Sequence, residues 1–107
     1  MEEAPNEALT DSLTEAVRLA SESLAARNAG DLALALERAE ACLVVRTTAL
    51  GEQHAEVAAA LGLVAAARRR RGELDAALAA DLRALEIYEH VLGDSHPDTA
   101  GQVAPRQ

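Results

Sequence analysis

The chain has 107 residues and a net charge of −8, and this length fits one domain and excludes a multidomain enzyme. Half of the residues are hydrophobic, but Tyr88 is the only aromatic one. The core is therefore built from Ala, Leu, Val and Ile, which suit closely approaching helices. The excess of acidic residues argues against nucleic acid as a partner, because it repels phosphate backbones.

The cysteine content and the amino terminus indicate the cellular setting. Cys42 is the only cysteine, so no internal disulfide can form, and a reducing compartment is expected. The first residues are acidic where a signal peptide is basic, and no apolar run approaches the length of about 18 residues that spans a membrane. We therefore expect a soluble cytoplasmic protein without a membrane partner.

An internal repeat with an offset of 42 residues organises the sequence. The offset relates Gly30 to Gly72 and His54 to His96 without a slip. It also superposes a set of further matching residues: Leu32 and Leu74, Ala35 and Ala77, Leu36 and Leu78, Leu43 and Leu85, Leu50 and Leu92, Gly51 and Gly93. So many matches at one offset predict two copies of one structural unit.

The first unit predicts two helices. The sequence that begins at Ser12 has the form of a capping box, so we expect the first helix from about Ser12 to Asn28. Gly30 ends it, and the second helix is expected from about Asp31 to Ala49.

The second unit repeats this order. His54 precedes a helix with an apolar stripe, and that helix ends in the arginine run 68–71 before Gly72. Gly72 can adopt the left-handed conformation that closes a helix, and the arginines suit the negative end of the helix dipole. The following helix repeats leucines at spacings of three and four residues up to Leu92.

A third unit begins near the carboxyl end of the sequence, where His96 is followed by Pro97 and Asp98. The expected organisation is a flexible tail at residues 1–10, a helical repeat domain at 11–100 and a second tail at 105–107. Within the domain we expect pair one at 12–50, pair two at 54–92 and the start of a third pair at 97–104.

The segment from Gly72 to Ala100 closely resembles the tetratricopeptide repeat in its long, 42-residue, kinesin-light-chain-like form. Its strongest signature is the stretch 84–98, ALEIYEHVLGDSHPD, and the resemblance covers roughly residues 12–100. The family has small residues where two helices touch, and these positions hold Ser23, Ala35, Cys42, Ala65, Ala77 and Ala84. The resemblance implies an all-α fold, a right-handed α-solenoid of antiparallel helix pairs with about two repeats and the start of a third.

The resemblance also implies a concave groove lined by the first helix of each pair. The groove residues are small or apolar with a rim of arginines: Val17, Ala20, Leu24, Arg27, Asn28, Ala59, Gly62, Ala66, Arg69 and Arg70. Such a surface fits an apolar helix or a peptide with carboxylates, because guanidinium groups bind carboxylates in bidentate geometry. In the alternative interpretation, the arginines at 68–71 only complement the helix dipole and face water.

The sequence offers little for catalysis or cofactor binding. His54 and His96 are equivalent under the repeat, so a role at helix starts is simpler than metal ligation. Cys42 occupies a helix contact position without a nearby histidine, so we expect it to be buried and structural. No Gly-rich phosphate loop and no set of nucleophile, base and orienting residue is present, so we expect no enzyme activity, no metal and no cofactor.

Three functions remain open. The first is an adaptor that binds a protein or peptide with acidic groups in the groove, read by Arg27, Arg69 and Arg70. The second is a homodimer formed through the exposed flank of the last helix, because solenoids need about three repeats to bury a core. The residues of that flank are Leu78, Leu82, Leu85 and Leu92. The third is the docking or sensor arm of a larger regulator, suggested by the sequence ending inside a third unit.

Overall fold

The computed structural model describes residues 5–95, with side chains placed for residues 7–93. This part of the chain folds into four α-helices and contains no strand. The helices are α1 (Pro5–Asn28), α2 (Leu32–Leu50), α3 (Ala55–Arg70) and α4 (Leu74–Ser95). The predicted all-α class is confirmed.

The helices stack in chain order as two antiparallel pairs. Short connections at 29–31 and 71–73 fold α2 back along α1 and α4 back along α3. The second helix of the first pair, α2, also packs along α3, whereas α1 touches α3 only lightly. This order of contacts is that of a solenoid, in which each helix packs mainly on its neighbours in sequence.

Both pairs turn by the same capping motif, as the 42-residue offset predicts. Gly30 and Gly72 have φ of 86° and 85°, in the left-handed region where a side chain is strained. The residue after each glycine donates its N–H to a carbonyl five positions back, from Asp31 to Ala26 over 2.9 Å and from Glu73 to Arg68 over 2.8 Å. These are Schellman closures, and they satisfy carbonyls at the ends of α1 and α3.

The helix starts agree with the sequence in one place and differ in another. His54 is the N-cap of α3, and its Nδ1 accepts a hydrogen bond from the Glu56 N–H over 3.0 Å. Ser12, in contrast, lies inside α1, which begins at Pro5. Residues 5–10, which the prediction assigned to a flexible tail, therefore lie in α1. A capping box favours a helix start but does not prevent the previous turn from forming, and the acidic Glu7 in the first turn suits the helix dipole.

The carboxyl end of the second pair also differs from the prediction. We expected α4 to end near Leu92, just before Gly93. The repeat equivalent of Gly93 is Gly51, which ends α2 with φ of 87°. Instead α4 continues to Ser95, and Gly93 lies within it without a positive φ. The expected third pair at 97–104, the tail at 105–107 and the role of His96 fall outside the described residues.

Small side chains hold the helices together at close range. All six predicted contact positions, Ser23, Ala35, Cys42, Ala65, Ala77 and Ala84, are buried. The Ser23 hydroxyl donates to the Ala35 carbonyl over 2.8 Å, which shows how near α1 comes to α2. Around these contacts, Leu36 packs with Val64, and Val57 packs with Ile87. The close approach compensates for the lack of large aromatic side chains.

Candidate functional site

The first helices of the two pairs, α1 and α3, lie side by side and define the predicted groove. All of the predicted groove residues keep some solvent exposure: Val17, Ala20, Leu24, Arg27, Asn28, Ala59, Gly62, Ala66, Arg69 and Arg70. On α3, the exposed residues Glu56, Ala59 and Arg70 and the partly exposed Ala66 recur at spacings that place them on one face. The predicted groove residues Ala59, Ala66 and Arg70 therefore share one face of α3.

At the carboxyl ends of α1 and α3, five of the predicted residues surround one depression of about 300 Å³. We call it the arginine depression. It is lined by Arg27, Asn28, Ala66, Arg69 and Arg70. The prediction brought these residues together from two separate units, and the structure places them around one concavity.

The arginines of the run 68–71 differ in their partners. Arg68 pairs with Glu40 over 2.9 Å and with Glu73 over 2.7 Å. The guanidinium of Arg69 pairs with Asp81 of α4. Arg71 is also matched, at 3.0 Å from Glu73. These three arginines therefore form ion pairs within the chain, which neither of the two sequence interpretations predicted.

Arg27 and Arg70 remain without such a partner. Among the residues that the structure describes, they are the two arginines with no acidic side chain at ion-pair distance. Both line the arginine depression. We predicted from the sequence that Arg69 would also bind acidic groups of a partner, but its charge is already matched by Asp81. The positive potential of the depression thus comes mainly from Arg27 and Arg70.

A second cavity lies at the opposite end of α3 and was not predicted. We call it the Arg46 cavity. It has a volume of about 250 Å³ and is lined by Leu13, Val17, Arg46, Leu50, His54 and Glu56. Val17 belongs to the predicted groove, so the cavity opens beside the groove's other end.

Arg46 is a buried arginine in the wall of this cavity and forms an ion pair there with the half-exposed Glu56. Only 9% of its side chain is exposed. Its Nη1 donates to the Glu56 carbonyl over 3.3 Å, and its Nη2 lies 3.4 Å from the Glu56 carboxylate. The pair links the first unit to the start of the second. The sequence did carry a signal, because Arg46 continues the buried stripe of Ala39 and Cys42 at helical spacing, where a charge needs a partner.

Cys42 is fully buried, as expected for a structural cysteine. Its Sγ donates to the Ala16 carbonyl over 3.4 Å. Burial raises the pKa of the thiol, and the nearby Arg46 offsets this only in part. A neutral, buried thiol is a poor nucleophile. Within residues 5–95, no three His, Cys, Asp or Glu side chains are grouped so that they could hold a metal ion.

The outer face of α4 exposes an apolar stripe that we call the α4 ridge. Its residues are 38–63% exposed: Leu74, Leu78, Leu82, Leu85, Tyr88 and Leu92. They include all four of the predicted self-association residues. On the opposite side of the helix, Ala77, Ala84 and Ile87 are buried. No other helix of the described chain packs on the ridge.

Comparisons with known proteins give one match. A family model described as tetratricopeptide repeat matches residues 23–90, which include α2, α3 and most of α4. No curated protein and no solved structure matches the chain. None of the described helices is long and apolar enough to cross a membrane.

Proposed function

Because the chain belongs to the tetratricopeptide repeat family, a family of protein–protein interaction modules, we propose that it is a non-enzymatic adaptor that binds a partner peptide in its groove. The groove between α1 and α3 is the proposed binding surface. Its occupant is a peptide or helix that carries carboxylates.

The observation that carries this proposal is the pair of unmatched arginines in the arginine depression. Arg27 and Arg70 lie on different helices, face one concavity and have no acidic partner in the described chain. In a protein with a net charge of −8, most arginines are neutralised by nearby acids, so two unmatched ones at one site are distinctive. A guanidinium group binds a carboxylate through two parallel hydrogen bonds, which supplies both attraction and orientation.

Selection from a library of random dodecapeptides displayed on phage tests the proposal. We expect the immobilised protein to enrich sequences with Asp or Glu, and the double variant Arg27→Gln, Arg70→Gln to lose that enrichment. The matched control is Arg18→Gln, Arg83→Gln, which also removes two charges but from exposed ion pairs outside the groove. Enrichment that survives in the Arg27, Arg70 variant would overturn the proposal.

A second candidate function, self-association, is favoured by the α4 ridge. Leu78 and Leu85 of the ridge are the repeat equivalents of Leu36 and Leu43, which pack with residues of α3 in the first interface between units. The same face of α4 is therefore suited to receive a helix. We propose that in this case a second copy of the chain covers the ridge with its own α4 and forms a twofold dimer.

Light scattering after size exclusion, over a wide range of concentrations, tests self-association. We expect a dimer that Leu85→Glu converts to a monomer. The control Val44→Glu changes an exposed valine of α2 and should leave the dimer intact. A wild-type monomer at all concentrations would exclude this candidate and leave the groove proposal unaffected.

A further inference from the structure

We propose that the Arg46 cavity binds a small aliphatic monocarboxylate, whose carboxylate takes the place of the Glu56 carboxylate beside Arg46. The ligand is a free molecule with one negative charge and a short alkyl chain. This goes beyond the proposed function, because it concerns a different cavity and a different class of ligand.

The cavity offers the alkyl chain apolar walls from two helices. Leu13 and Val17 of α1 and Leu50 of α2 line it, and its volume is about 250 Å³. Since a water molecule takes about 30 Å³ in the liquid, this space holds about eight non-hydrogen atoms. A carboxylate on a chain of about five carbons has that size. Each methylene group that leaves water on binding adds to the affinity.

A buried cation lies in the wall of this apolar space. The Arg46 side chain is 9% exposed. A guanidinium group has five N–H donors, and Glu56 contacts Nη1 with its carbonyl and Nη2 with its carboxylate. A ligand carboxylate in the cavity therefore meets further N–H groups of the same guanidinium. Such charge-assisted hydrogen bonds are stronger in apolar surroundings than in water.

The Glu56 carboxylate is held loosely enough to be displaced. It lies 3.4 Å from Nη2 of Arg46, whereas the Glu73 carboxylate lies 2.7 Å from Nη1 of Arg68. The Glu56 side chain is also 51% exposed, so its charge returns to water at low cost. The carbonyl of Glu56 belongs to the backbone and keeps its hydrogen bond to Arg46 when the side chain moves away. The exchange leaves the buried cation with an anionic partner throughout.

The polar lining of the cavity fits a single carboxylate. His54 lines the cavity, and its Nδ1 accepts the Glu56 N–H over 3.0 Å. Because a neutral imidazole has one acceptor and one donor nitrogen, Nε2 is the donor that His54 offers in addition to Arg46. A second negative charge on the ligand would be repelled by Glu56 and by the net charge of −8. The site therefore favours a monocarboxylate over a dicarboxylate.

An NMR titration of hexanoate into protein with ¹³C-labelled Leu and Val methyl groups tests the proposal. We expect the methyl resonances of Leu13, Val17 and Leu50 to shift. Hexanamide has the same chain without the charge, and acetate has the charge without the chain. Each should bind at least about tenfold more weakly than hexanoate.

Substitutions at the ion pair separate binding by Arg46 from general electrostatics. Glu56→Gln removes the competing carboxylate and should tighten hexanoate binding several-fold. The matched control is Glu52→Gln, which also removes one negative charge, but from the exposed pair with Arg83, and should leave the affinity unchanged. Arg46→Met should abolish binding in a protein whose helical circular dichroism is retained. If Arg46→Met does not fold, the comparison of Glu56→Gln with Glu52→Gln decides.

Several results would overturn the proposal. These are equal affinity for hexanoate and hexanamide, equal affinity of Glu56→Gln and Glu52→Gln, and the absence of shifts in the cavity methyl groups. Loss of hexanoate binding in the double variant Arg27→Gln, Arg70→Gln would place the carboxylate in the arginine depression instead. Tighter binding of N-acetylleucine than of hexanoate would assign the cavity to the carboxyl end of a peptide. The phage selection tests the adaptor proposal separately.

Discussion

Arg46 of α2 and Glu56 of α3 join the two repeats through one side chain that is almost fully buried and one that is half exposed. The Arg46 side chain is 9% exposed and the Glu56 side chain 51%, with 3.4 Å between Nη2 and Oε1. A second link runs from Arg46 Nη1 to the Glu56 carbonyl in the first turn of α3. The pair therefore fixes the start of the second repeat against the end of the first.

Glu56→Gln should lower the free energy of unfolding by about 1–2 kcal/mol, because it leaves a buried guanidinium without its charge partner. Glu52→Gln is the matched control, since the Glu52–Arg83 pair is exposed on both sides and should change stability by less than about 0.5 kcal/mol. Urea unfolding followed by circular dichroism measures both. If Glu56→Gln has the same effect when Arg46 is replaced by Met, the two side chains are not coupled.

The buried thiol of Cys42 should make the protein less stable in alkaline solution. Burial raises the pKa of Cys42 in the folded state, so the folded protein favours the neutral thiol. This contribution is complete below the unfolded-state pKa of about 8.5 and is lost as the pH rises towards the higher folded-state value. Between those values the unfolding free energy should fall by up to about 1.4 kcal/mol per pH unit.

Cys42→Ala removes the titrating group and is the control for that measurement. Urea unfolding with a phosphine reductant at pH 7.5, 8.5 and 9.5 should show a steeper loss of stability for the wild type than for Cys42→Ala. Parallel losses in the two proteins would mean that other groups cause the alkaline dependence.

Two glycines should respond to the same substitution with opposite signs. Gly72 has a φ of 85°, so Gly72→Ala should destabilise the protein by about 1–2 kcal/mol. Gly62 lies inside α3 without a positive φ, and a Cβ added there meets no atom within 4 Å. Gly62→Ala should therefore stabilise by about 0.5–1 kcal/mol. Thermal unfolding compares the two, and a lower melting temperature for Gly62→Ala would contradict the helix assignment at that position.

The cap at the start of α3 gives a further prediction. His54→Ala removes the acceptor for the Glu56 N–H and should cost about 1 kcal/mol, whereas His54→Asn should keep most of the stability because Asn is a favoured N-cap residue. Gln53→Ala, at the exposed neighbouring position, is the control. Chemical denaturation decides the matter, and equal stability of the Ala and Asn variants would show that the cap contributes nothing.

Much of the fold could be predicted because its determinants are local and occur twice. Gly30 and Gly72 stand two residues after the last residue of the preceding helix in both units, and the small residues such as Ala35 and Ala77 recur at the same offset. The start of α1 could not be predicted from Ser12, because a capping box does not stop a helix from extending by another turn.

By itself, the sequence determined the helix pairs, their closing glycines and the recurring small residues, since each follows from spacing along one chain. The resemblance to the tetratricopeptide repeat implied which side chains line a groove. Tertiary structure alone decided which of those side chains are available. Arg69 and Arg70 are neighbours in sequence, yet Asp81 of α4 neutralises the first, and no acidic side chain of the described chain pairs with the second. Ion pairing depends on which helices meet in space. The Arg46 cavity could not be predicted for the same reason, because its walls come from α1, α2 and α3 together.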